Sequence, residues 1–239
     1  MSVATPAAPA STAAEVPRLS TAAQAVAAAQ AYADSIAPGV IARDRAGQVP
    51  VAELAALDAS GLLGITVPTA HGGPDLPPPV LAEVIRTIAA VDPAIAQVPQ
   101  AHFLFVDVLA VHGSSQQQKR IFSDVLAGAR LGNGLAEPGG QHAQDLRTRL
   151  HRAGPDRAPR LDGRKYYCTG AISAHWIGVS ALDDHDQLVL AFVERAADGV
   201  QLTDDWNVMG QRATVSDWKY HHVGNFLLSN VPPPNHGQV

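Results

Sequence analysis

Cysteine is almost missing from this 239-residue sequence. Cys168 is the only one, which excludes an intramolecular disulfide and a thiolate zinc site. No apolar run is long enough to cross a bilayer. The first residues lack both the basic n-region and the continuous apolar h-region of a secretory signal, so a cytoplasmic protein with no membrane partner is expected. Concentrated positive charge is missing too: 17 Lys and Arg stand against 22 Asp and Glu, a formal charge of −5. That leaves no electrostatic footprint for nucleic acid. The short basic run at Arg147, Arg149 and Arg152 reads as a solvated strand face.

Several catalytic signatures are also absent: the phosphate-binding loop, the zinc-protease helix and the nucleophile elbow. The string GNGLAE at Gly132 to Glu137 superficially matches a dinucleotide fingerprint. It lacks the third glycine, follows a helix and enters a strand, which is the wrong setting for a pyrophosphate. His221 and His222 with His236 do not make a metal site, because adjacent strand residues face opposite ways and no acidic ligand is suitably spaced. No metal is expected.

What is present is an ordinary globular composition, 46% hydrophobic and 16% charged, in a chain long enough for one large domain or two modest ones. Residues 1–17, mostly Ala, Ser, Thr, Pro and Val, bury too little to offset their ordering entropy and are expected to form a disordered tail. From Thr21 the grammar is helical. Thr21 and Gln24 have capping-box spacing, and Val26, Ala29, Ala33 and Ile36 follow at helical intervals. A second helix starts at Pro50 and stops at Gly61, and Leu63 to Pro68 reads as extended. A third helix follows Pro78 and Pro79. Asp92-Pro93 caps a fourth, which Pro99 should kink or split. Ser115 and Gln118 suggest another capping box, opening a fifth helix that Gly128 ends. Beyond Arg130 glycines and short alternating segments take over. Asp162-Gly163 looks like a hairpin turn, and Trp176 to Leu182 and Leu188 to Glu194 look like two strands around a polar turn. Helices first and strands second predict an α+β fold: a helical domain over residues 18–130, an antiparallel β-barrel or sandwich over 131–228, and an irregular tail over 229–239.

One constellation could carry chemistry. Glu137-Pro138-Gly139-Gly140 is a turn whose glycines let a ligand approach the backbone closely. Thr169-Gly170-Ala171 leads into His175-Trp176, combining small residues, a hydroxyl and an aromatic. Those are the parts a flavin ring needs, although a turn and a core tryptophan explain the same residues.

Four strings resemble the acyl-CoA dehydrogenase superfamily, in the right order from Thr21 to Ser216: ASGLLGITVPTAHGG, LAEPGG, GRKYYCTGAISAHW and DDWNVMGQRATVS. The TGA…AHW form and Gly132-Asn133 look more like the superfamily's flavin monooxygenase branch, that of dibenzothiophene and sulfur-acquisition enzymes. That branch oxygenates a small organosulfur compound through a hydroperoxide formed when reduced flavin meets dioxygen.

The resemblance implies reduced FMN as cofactor, with FAD as the alternative, and a separate flavin reductase as partner. It implies catalytic roles for His102 over the flavin and for Asn133 at its reactive edge. It implies cofactor contacts from Asn133, Cys168 (where the branch usually has serine), Thr169, Gly170 and Trp176. Each has a structural alternative. His102 can be a helix histidine bonding a carbonyl, Asn133 a turn residue, Cys168 a small buried hydrophobe and Trp176 a core residue. The superfamily's closing four-helix domain, which carries its assembly surface, is not expected within this sequence. A homo-oligomer is therefore an open expectation. The alternatives to a monooxygenase are an FAD-dependent acyl-CoA dehydrogenase-like enzyme and a non-catalytic flavin-binding remnant.

Overall fold

The computed structural model describes residues 15–137, 145–152, 159–202, 206, 208–214 and 216, and the backbone of 219–220 and 226–230. The Pro138–Gly140 glycine turn, the histidines at 221, 222 and 236, and residues 1–14 and 231–239 lie outside the described residues.

Seven helices occupy the first half of the described chain: α1 (Ala22–Ile36), α2 (Val40–Ala46), α3 (Val51–Ala59), α4 (Pro78–Ala89), α5 (Pro93–Gln97), α6 (Gln100–His112) and α7 (Ser115–Leu126). Their ends follow from local chemistry. The Thr21 side chain accepts from Gln24 N–H while Gln24 reaches back, a complete capping box. Asp92 accepts from the N–H groups of Ala94 and Ile95, and Pro93 takes the first helical position. Pro99 separates α5 from α6. Gly61 and Gly128 are left-handed at φ 79° and 96°, as helix terminators require.

Three local expectations are corrected. Residues Leu62–Gly64 form a 3-10 turn, not an extended segment, because Ile65 N–H closes back on Leu62 O. The capping box before α7 uses Ser114 and Gln117. Gln118 instead donates to the carbonyls of Leu109 and Ala110 at the end of α6. Residues 15–17, assigned to the tail, run across α3's exit: a Cβ at Gly61 would collide with the Pro17 carbonyl, and one at Gly128 would press on Val16. By length and composition Pro93–His112 is apolar enough to cross a membrane, but it comprises α5 and α6 and more than half of it is buried inside the fold.

Eight strands follow: β1 (Leu131–Gly134), β2 (Arg149–His151), β3 (Arg160–Asp162), β4 (Trp176–Leu182), β5 (Leu188–Glu194), β6 (Val200–Gln201), β7 (Lys219–Tyr220) and β8 (Phe226–Asn230). The main sheet runs β3-β2-β4-β5-β8, with β1 also on β4. It is mixed, not the antiparallel barrel or sandwich expected. β1 pairs with β4 in parallel, Leu131 opposite Trp176 and Asn133 opposite Gly178, and Arg149 of β2 meets Leu182 in parallel. β4 and β5 form the expected antiparallel hairpin. Asp162-Gly163 is not a hairpin turn. β3 pairs backwards with β2, and Gly163 is glycine because a Cβ would collide with Thr148.

Helix α6 docks the helical half onto the sheet. A Cβ at Gly178 would lie 2.5 Å from Phe105 Cζ, so the bare glycine lets the ring sit on β4. Phe105 meets Phe192 edge-to-face at 5.7 Å, a geometry favoured by the ring quadrupoles. Leu109, Phe122, Leu131 and Trp176 complete this shared core.

Candidate functional site

The chain between β3 and β4 crosses the open side of β1. Tyr166 bridges to Ala136 in antiparallel fashion. The next residue, Tyr167, is left-handed at φ 54° and 66% exposed. A bulky side chain costs roughly 1–2 kcal/mol there, and such strain concentrates at functional positions. Asn133 pins this loop. Its N–H donates to Thr169 O at 3.2 Å, its side-chain Nδ2 donates to Tyr167 O at 3.3 Å, and its Oδ1 accepts from Leu135 N–H at 3.0 Å. Gly170 follows at φ 74°, and a Cβ there would stand 3.0 Å from Val98 Cγ1. The loop is thereby wedged between β1 and the α5–α6 junction.

A second segment meets the loop. Trp206 packs edge-to-face on Tyr167, with ring centroids 6.1 Å apart. Its Nε1 donates to Gln211 O at 3.3 Å, and Gln211 is itself left-handed at φ 54°. Thr169 Oγ1 lies 2.8 Å from Ser216 Oγ, which lies 2.9 Å from Thr214 Oγ1, which donates to Gln211 O at 2.9 Å. Exposed Tyr167, with partly buried Trp206 and Thr169 beside it, therefore gathers two aromatic rings and a hydroxyl at one place, over a buried Gly170.

Of the residues singled out in the sequence, Asn133, Thr169 and Gly170 come together here. His102 does not reach this surface. It has no solvent exposure, its Nε2 bonds Leu63 O at 2.8 Å and its Nδ1 accepts from Leu131 N–H at 3.2 Å. Because the carbonyl only accepts and the amide only donates, the ring is the neutral Nε2–H tautomer. Burial pushes its pKa down to about 4. His102 thus holds the first residue of β1, two positions before Asn133. Trp176 faces α7: Nε1 donates to Asp124 at 3.0 Å and the Arg120 guanidinium stacks 5.2 Å from the ring centre. Cys168 is buried in the β-domain core with Leu150, Leu161 and Ile177. These three support the loop and the strands beside it from within.

Glu137 is structural as well. Burial opposes its ionisation, but hydrogen bonds from Lys165, Thr148 and Arg147 N–H outweigh that and hold the carboxyl below its usual range. Lys165 Nζ approaches it at 2.6 Å and also donates to Ser180.

Sequence reasoning missed Tyr167, Trp206, Thr214 and Ser216. The last three lie within the quoted DDWNVMGQRATVS string. It also missed Arg130, a fully buried guanidinium that bonds Asp58 at 2.7 Å and Ser173 O at 2.6 Å, clamping α3 to the residues before β4. Among the described residues no group of three His, Cys, Asp or Glu could hold a metal.

Residues 21–129 match the family described as acyl-CoA dehydrogenase, N-terminal domain. Beyond it, the chain is 29% identical over 204 residues to the dibenzothiophene monooxygenase of Rhodococcus erythropolis, a match covering 83% of this chain and 49% of that protein. It is 30% identical over 194 residues to the probable FMNH2-dependent monooxygenase SfnC of Pseudomonas putida, covering 80% and 47%. The crystal structure of FMN-bound TdsC from Paenibacillus sp. A11-2 shares the fold at a TM-score of 0.79 and 27% identity, over 87% of this chain and 54% of that one. The chain spans about half the length of these relatives.

Proposed function

We propose that this chain carries the flavin-facing surface of a monooxygenase that uses reduced FMN and dioxygen on a small organosulfur compound, with a separate reductase supplying the reduced flavin. The observation that carries the reading is the Tyr167–Gly170 loop. It is pinned by Asn133, presents a ring in a strained conformation to solvent, and places the Thr169 hydroxyl beside it. The kinship with FMN-bound and FMNH2-dependent monooxygenases points the same way.

The residues fit the group. Tyr167 offers an exposed aromatic ring braced edge-to-face by Trp206, and Thr169 offers one hydroxyl oxygen. Bound there, reduced FMN would supply the electrons that activate dioxygen. The protein's own contribution is positional. Asn133 fixes the loop, Gly170 lets it pack against Val98, and His102 acts as a positioning residue by holding the start of β1. Trp176 anchors β4 to α7, and Cys168 fills the core beneath Thr169.

Anaerobic titration with reduced and oxidised FMN and FAD tests the reading. Preferential binding of reduced FMN supports it, and Asn133→Ala should weaken that binding. Tight retention of oxidised FAD through purification would instead favour an acyl-CoA dehydrogenase-like enzyme. No binding of any form would leave a non-catalytic scaffold.

A further inference from the structure

We infer that Ser216 and Thr214 set the hydrogen-bonding polarity of Thr169 so that the site accepts reduced flavin and rejects oxidised flavin. This rests on the flavin reading above and adds to it the means of redox selection.

The argument is a proton count. Gln211 O can only accept, so the Thr214 hydroxyl proton is committed to it at 2.9 Å. Thr214 Oγ1 can then only accept along the chain, so Ser216 must give it its single proton across 2.9 Å. Ser216 Oγ is left as an acceptor, and Thr169 must donate to it across 2.8 Å. Reversing any one link would bring two lone pairs together at hydrogen-bond distance. The far end is firmly held. Gln211 O also accepts from Thr214 N–H at 3.2 Å and Trp206 Nε1 at 3.3 Å, from a residue held at φ 54°. Thr214 and Ser216 are both buried, so water cannot readily substitute for either link.

All three hydroxyl protons are therefore spent inward, and partly buried Thr169 has only oxygen lone pairs to offer a ligand. The isoalloxazine N5 carries a proton when reduced and a lone pair when oxidised. An acceptor-only oxygen is complementary to the first and repels the second, so the same atom attracts one redox state and selects against the other. With N5 seated against Thr169, as the flavin reading requires, Thr169 would be the contacting residue. Ser216 and Thr214 act through it and are positioning residues.

The test compares anaerobic dissociation constants of the intact chain for oxidised and reduced FMN. In Ser216→Ala the Thr169 proton is released and can turn outward. The oxidised-to-reduced ratio should fall about five- to tenfold, the scale of one hydrogen bond. The fall should come chiefly from tighter binding of oxidised FMN, because damage to the fold would weaken both forms. Thr214→Val should shift the ratio the same way, and Ser216→Thr should keep the wild-type ratio. Circular dichroism and thermal unfolding verify that each variant is folded. A ratio within about twofold of wild type in both Ser216→Ala and Thr214→Val would overturn the polarity inference and leave the flavin site standing. If wild type binds neither form, or Thr169→Val changes neither affinity, the flavin site itself is wrong and the inference falls with it.

Discussion

The N–H of Leu131 donates to Nδ1 of His102 at 3.2 Å, so the residue that opens β1 hangs from an imidazole on α6. The opposite nitrogen is held by Leu63 O. The ring must therefore be neutral for both bonds to exist, and burial pushes its pKa down to about 4. In the unfolded chain it titrates near about 6.5. Between those values the unfolded state binds the extra proton and the folded state does not, so stability rises with pH. The His102 contribution should be complete above about pH 6.5 and fade as pH falls toward 4, by on the order of 3 kcal/mol. Denaturant melts from pH 4 to 7 should show stability rising less with pH in His102→Gln than in wild type.

Asp58 works against that slope. Burial raises its pKa to about 6 although Arg130 pulls it down. Its folded-state pKa lies above the unfolded one, so its contribution is present below about pH 4 and lost as pH rises toward 6. Asp58→Asn should steepen the rise of stability with pH across this window. Melts on Asp58→Asn and on the double variant with His102→Gln separate the two groups.

The Arg130 clamp gives a third expectation. Arg130→Met leaves Asp58 and Ser173 O without their partner and should cost about 3–5 kcal/mol, as loss of one member of a buried pair does. Arg130→Met with Asp58→Leu should recover part of that. Urea midpoints of the single and double variants measure the recovery.

Tyr167 should trade stability against binding. It is 66% exposed in a left-handed conformation, so Tyr167→Gly gives up little burial and relieves strain. Thermal unfolding should show stability unchanged or raised by up to about 1 kcal/mol. Reduced FMN affinity should fall about tenfold or more. A parallel loss of both would mean the ring is structural.

Much of the helical half was legible because its signals are local. Thr21 with Gln24, Asp92 with Pro93, Pro99 and Gly128 each act within one turn of chain. The one-residue slip at Ser114 arose because Ser114 and Ser115 each precede a glutamine by three positions. Only the contact from Gln118 to the end of α6 decides between them. Strand direction was not legible. That β1 runs parallel to β4 depends on pairing across more than forty residues of sequence, seen in Leu131 opposite Trp176. Nor was the orientation of Trp176. Both faces of β4 are buried from Trp176 to Ala181, so alternation carries no information about which face meets a ligand. That Asn133, Thr169 and Gly170 lie close together was legible through the resemblance. Tyr167 was not, because nothing local marks a tyrosine for a positive φ.

Hydrogen exchange on the intact chain, with and without reduced FMN under anaerobic conditions, tests the central claim most directly. The account predicts added protection concentrated in Leu131–Leu135 and Tyr166–Gly170, where Asn133 pins the loop. The surface hollow formed by Asp124, Ser173–Trp176 and Glu194–Ala196 serves as an internal control and should stay unchanged. Protection confined to that hollow, with the Tyr166–Gly170 loop unaffected by bound flavin, would contradict the account.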